Sequence, residues 1–116
     1  MIPTISIQQV IFAVYDETGM SLAEMKLVAN AKTQDCKISR MHLIYTMRYV
    51  LGNFAGSNAL AALLNERSSA KIRQLYQLSQ SMFYHDHRFR SSQMRIFHSL
   101  GLSFKWEGMT LEVWKD

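Results

Sequence analysis

The chain has 116 residues, a formal net charge of +4, and 48% hydrophobic against 19% charged residues. That is one domain with room for a buried core, in the composition range of folded globular proteins. No apolar run approaches the ~20 residues of a membrane span. The opening MIPTISIQQVIFAVY lacks the basic region and cleavage site of a signal peptide, and the single Cys36 can form no internal disulfide. A cytoplasmic protein with no membrane partner is expected.

In chain order, residues 7–18 set Ile7, Val10, Ile11 and Val14 at helical spacing, with Gly19 to end the helix. Ser21 followed by Glu24 is a capping-box pattern and predicts a short helix over 21–28. NAKTQDCK (30–37) has no apolar period and reads as a polar loop. Over 38–51, Met41, Ile44, Tyr45, Arg48 and Tyr49 keep helical spacing while Leu43, Met47 and Val50 line a neighbouring stripe. A helix so apolar all round is central and mostly buried. Gly52 and Gly56 break it. Ser57 or Asn58 caps the next helix, 57–64, with Leu60, Leu63 and Leu64 on one face. After Asn65–Arg67 a long helix over 68–84 carries Ile72, Leu75, Tyr76, Leu78, Met82 and Phe83. YHDHRF reads as a turn, and a last helix over 91–100 ends at Gly101. LSFKW and TLEVW flank EGM and predict a β-hairpin over 102–115, with Trp106 and Trp114 packed on the helices. The fold class is therefore mainly α: a small helical bundle over 1–101, with a C-terminal hairpin extension over 102–116 on the same domain.

Charge is unevenly placed. Residues 32–99 hold ten basic residues (Lys32, Lys37, Arg40, Arg48, Arg67, Lys71, Arg73, Arg88, Arg90, Arg95) against three acidic ones. A basic middle suits a polyanion, because each neutralised phosphate releases counterions. The order short helix, tight turn, longer helix at 57–84 is that of a helix-turn-helix, whose second helix puts its N-terminal end into the major groove. Unpaired N–H groups and the dipole at that end favour phosphate. Ser68 and Ser69 add hydroxyls there, and Arg67 and Lys71 add charge and reach.

On these residues the chain resembles the C-terminal DNA-binding domain of the bacterial chromosomal replication initiator DnaA, from residue 5 to about 96. SRMHLIYTMRYVL resembles the family's central helix, with Arg40 and Arg48 on its two arginines. NERSSAKI falls on the G-G-R-D-H-[ST]-T-V motif, with Arg67 on the arginine and Ile72 on the valine. ISIQQVIFAVYDETGMSLAEM is similar to the opening helix and the short capped helix after it, and NAKTQDCK to the basic loop, with Lys32 and Lys37. The resemblance implies a helical bundle with a helix-turn-helix that binds double-stranded DNA, in replication or transcription regulation. Lys32, Lys37, Arg40, Arg73 and the start of the 68–84 helix would hold phosphates. Arg67, Ser68, Ser69 and Lys71 would approach base edges. The chain departs from the family at Met41, where the family has glutamine, and at Ser68, Ser69, Ala70 and Lys71, where it has aspartate, histidine and two hydroxyl residues. The family's own box sequence is therefore not expected to be read, and with few long side chains at the helix start specificity is expected to be weaker. No G-x-x-x-x-G-K-[ST] is present, so no nucleotide is expected.

Other chemistry is poorly supported. His85, Asp86 and His87 are adjacent and point apart, where a metal needs three or four convergent ligands. Cys36 beside Lys37 has no histidine that can be argued as its partner. The carboxylates form no pair for acid–base work. No enzyme, metal or cofactor is expected. The rival reading is a protein-interaction module of the same fold that binds a replication or transcription factor, with Phe104, Trp106 and Trp114 of the hairpin as anchors.

Overall fold

The computed structural model describes residues 5–27, 33–52, 56–107 and 110–115, with residues 103–107 and 110–115 as backbone only. It is mainly helical. The elements run α1 (Ile7–Thr18), α2 (Leu22–Lys26), α3 (Gln34–Leu51), α4 (Ser57–Leu63), α5 (Ser69–His85), α6 (His87–Ser99), β1 (Leu102–Glu107) and β2 (Thr110–Lys115). α3 is the centre, packed by α1, α2, α5 and α6. Its buried residues lie all round the helix, Met41, Leu43, Ile44, Tyr45, Met47 and Val50 among them. Phe83 of α5 stacks on the Tyr45 ring at 5.6 Å between centroids, and Phe97 of α6 lies tilted to it at 6.4 Å. That aromatic cluster ties the three helices together.

Caps written in the sequence set most of the boundaries. Ser6 and Ser21 each accept a hydrogen bond from the backbone three residues on, and Gln9 and Glu24 reach back to the cap N–H, so both open with capping boxes. Gly19 ends α1 at φ 74°, a conformation that glycine reaches without a Cβ penalty. Ser21→Ala should lower stability by about 1 kcal/mol, read as a shift in the urea midpoint. An unchanged midpoint would mean that α2 contributes nothing to the cooperative fold.

Two boundaries differ from expectation. Residues 34–37 are not loop but the first turn of α3, because Thr33 caps it, accepting from the Cys36 N–H, and Asp35 suits the dipole. Cys36 is buried and supplies the apolar position that a polar reading of NAKTQDCK overlooks. Likewise YHDHRF is no extended turn. α5 runs to His85, Asp86 alone separates the helices, and its carboxylate accepts from the Phe89 N–H to start α6 at once. Phe89 is buried and begins the stripe Phe89, Gln93, Ile96, Phe97.

After α6, Gly101 turns the chain and buried Leu102 seats the start of β1. β1 and β2 pair antiparallel, from Leu102 opposite Lys115 to Glu107 opposite Thr110. The connection at 108–109 and the side chains of Phe104, Trp106 and Trp114 lie outside the described residues, and with them the expected packing of the tryptophans. Among the described residues no helix is long and apolar enough to cross a membrane.

Candidate nucleic-acid interface

Between α4 and α5 the chain turns through Leu64–Ser68. Buried Leu64 anchors it. Asn65 stands at φ 55°, a left-handed conformation that asparagine tolerates better than most residues, and the Glu66 N–H reaches back to the Ala61 carbonyl at 2.8 Å. The Glu66 carboxylate does two things. One oxygen accepts from the Arg67 N–H (3.1 Å), and the other meets Arg40 at 3.4 Å. The turn is thereby tied to the central helix.

Arg40 is thus a correction to the sequence reading. It is 6% exposed. Its Nε donates to the Met25 carbonyl at the end of α2 at 3.0 Å, its Nη2 donates to the same oxygen, and its Nη1 donates to Glu66. A guanidinium enclosed in that way clamps α2, α3 and the α4–α5 turn, and is not presented to a phosphate. Two further basic residues have structural duties. Arg90 donates to the Phe83 and Tyr84 carbonyls at 2.8 and 2.7 Å, capping α5. Arg95 is held by both oxygens of Glu17 at 2.8 and 2.9 Å. The basic excess of the middle segment therefore overstates the charge on offer.

Of the rest, Arg88 is exposed on the first turn of α6, while Arg48, Arg67, Lys71 and Arg73 lie on or beside α5. Helical spacing sorts this helix cleanly: Ile72, Leu75, Ser79 and Phe83 are buried, while Ala70, Lys71, Arg73, Gln74, Gln77, Leu78, Ser81 and His85 are exposed. None of its 17 residues is acidic. Ser68 is the N-cap, its hydroxyl accepting from the Ala70 N–H at 3.2 Å, and Ser69 accepts from Arg73 at 3.4 Å. Each hydroxyl thus serves as an acceptor within the helix start. Arg67 is exposed just ahead of the helix.

Beside α5 lies a concavity of about 250 Å³ lined from three helices: Ile44 and Arg48 of α3, Ser57 of α4, and Ile72, Arg73, Tyr76, Gln77 and Gln80 of α5. It holds two arginines and no carboxylate. Arg48 lies over the Tyr76 ring at 4.8 Å, which holds the guanidinium in place. Arg48, Gln74 and Gln77 are candidates that the sequence reading left out. The signal was there for the two glutamines, which follow Lys71 and Arg73 at spacings of three and four on one helical face. Arg48 could not be chosen so, because its neighbour Tyr76 is remote in sequence. Lys37 is half-buried and shares an α3 stripe with Met41, Ile44 and Arg48, well up the helix from the concavity. Lys32 lies outside the described residues.

A second surface stands apart in chemistry. α1 exposes Phe12 (68%) and Tyr15 beside a largely apolar groove of about 690 Å³, completed by Leu22 and Leu100. Among the described residues no three His, Cys, Asp or Glu side chains are grouped to hold a metal. No family model, curated protein or solved structure matches the chain.

Proposed function

We propose that the protein binds duplex DNA, with α4, the Leu64–Ser68 turn and α5 acting as a helix-turn-helix in the manner of the initiator domain that its sequence resembles, in a regulatory or replication-accessory role. One observation carries this: the exposed face of α5 is free of acidic residues along its whole length and is bordered by the arginine-lined concavity. A helix entering a groove walled by phosphates needs that absence as much as it needs cations. Arg48 and Arg73 take a backbone phosphate in the concavity, arginine's planar fork being suited to two phosphate oxygens. Arg67 and Lys71 reach the groove or its rim. Such contacts fix register and orientation, and carry no sequence information themselves.

Duplex affinity should fall steeply with salt, and Arg48→Ala with Arg73→Ala should reduce the slope of log K against log[salt] by about 0.9, the value for the one phosphate released. Titration of a labelled duplex at several salt concentrations measures it. An unaltered slope in a folded double variant removes the concavity from the interface. The alternative reading, a protein-binding module, draws on the Phe12 and Tyr15 groove. It gains if no duplex binds at any salt.

A further inference from the structure

Resting on the duplex-binding reading, we propose that Gln74 is the residue that selects sequence, and that the base it selects is adenine. At the helix start, Ser68 caps the helix and Ser69 accepts from Arg73, so the acceptor side of each hydroxyl is turned to the helix itself. Serine also discriminates little between bases. The next exposed turn presents Gln74, in the middle of the outward face, with Ala70 one turn before it and Ser81 two turns after. Lys71 lies to one side of that line and Arg73 to the other, as a helix seated between two phosphate strands would have them.

The chemistry then names the base. A glutamine amide carries one donor and one acceptor side by side. Adenine alone presents the complement in the major groove, N7 to accept from Nε2 and the N6 amino group to donate to Oε1. Guanine offers two acceptors and leaves Oε1 without a partner. Ala70 adds no bulk between the helix and the base edge, and its methyl suits the 5-methyl of a neighbouring thymine. Gln77, the other exposed glutamine, lines the arginine concavity and stays with the phosphate.

The test begins with a selection from random duplexes, followed by replacement of each adenine in the enriched motif by 7-deazaadenine. This removes N7 and leaves base pairing intact. The wild type should lose roughly ten- to a hundredfold at one position. Gln74→Ala should show the same loss on the unmodified duplex and no further loss on the modified one. Since Gln74 is exposed, the variant's thermal midpoint should match the wild type and certify its fold. If every deaza position costs both proteins alike, or if Gln74→Ala keeps the motif, the assignment to Gln74 is wrong while salt-dependent binding stands. If neither protein binds any duplex, the DNA reading itself has failed.

Discussion

Arg40→Ala is expected to destabilise the fold by roughly 2–3 kcal/mol, less than the full cost of leaving a buried charge unpaired because Glu66 is partly exposed. The wild-type guanidinium satisfies the Met25 carbonyl at the end of α2 and neutralises Glu66 in the α4–α5 turn. Alanine removes all three donors at once. The carbonyl is left without its side-chain donor, a loss of about 1–3 kcal/mol for a buried group. Glu66 keeps some contact with water, its side chain being 23% exposed, so its share is discounted accordingly. Arg40→Lys should fall between the two, because one ammonium keeps the charge but cannot span both acceptors as the fork does. Urea denaturation reads the loss directly. The same experiment separates two roles. If Arg40 were a phosphate contact, alanine would leave stability nearly untouched and weaken DNA binding instead. A clamp predicts the reverse: large destabilisation, with duplex affinity per folded molecule changed only as far as the turn before α5 loosens.

The Arg40 case shows where sequence reading stops. Periodicity and caps are local, and they placed α1, α3 and α5 and most of their core residues: Val10 and Val14, Met41 and Ile44, and Ile72 and Leu75 each stand at spacings that a helix aligns on one face, while Ile7 and Leu78, counted on the same stripes, are exposed. They failed where one residue decided a boundary: Cys36 counted as polar, and Phe89 counted within a turn. Which arginines are available is not a local property. Arg40 finds its partners at Met25 and Glu66, and Arg95 finds Glu17 across the whole domain. A charge count treats all of them as equal. Arg48 gains its place only when α3 and α5 pack and Tyr76 comes beneath it. The candidate interface was thus legible as a region, the start of the helix after Arg67, while its membership depended on contacts distant in sequence. The glutamines of α5 are plain in the sequence, but nothing local ranks an uncharged side chain above the charged motif before it.

The second large effect concerns pH, and it arises from a buried polar group between α3 and α6. His42 is 1% exposed, stacks on Phe89 with centroids 4.0 Å apart, and meets Gln93 at 2.8 Å through Nδ1. Gln93 donates its amide N–H to the Thr46 hydroxyl at 2.8 Å, which in turn donates to the His42 carbonyl at 2.7 Å. The chain of donors sets the tautomer: Gln93 presents oxygen to Nδ1, so Nδ1 carries the proton and Nε2 is bare. Burial holds the imidazole pKa below its ordinary 6.5, against the pull of Gln93 and of the Glu17 carboxylate, with Arg95 adding to the depression. Asp35, Ser39 and Ser92 complete the surroundings on the cavity side. The sign follows from linkage. Above pH 6.5 both folded and unfolded chains hold a neutral ring, and the full stability is present. Below it the unfolded chain takes up a proton that the native ring refuses, so stability is lost as pH falls, at up to about 1.4 kcal/mol per unit until the native pKa is reached. Carboxylates add their own acid dependence at lower pH, and a variant isolates the histidine. His42→Gln keeps a donor toward Gln93 and cannot titrate. Its stability should lie below that of the wild type at pH 7, and should fall less steeply between pH 6.5 and 5. Urea titrations of both proteins across that interval measure the difference. Parallel profiles would show that the imidazole titrates alike in the folded and unfolded chains, and that the His42–Gln93–Thr46 chain contributes packing and hydrogen bonds alone.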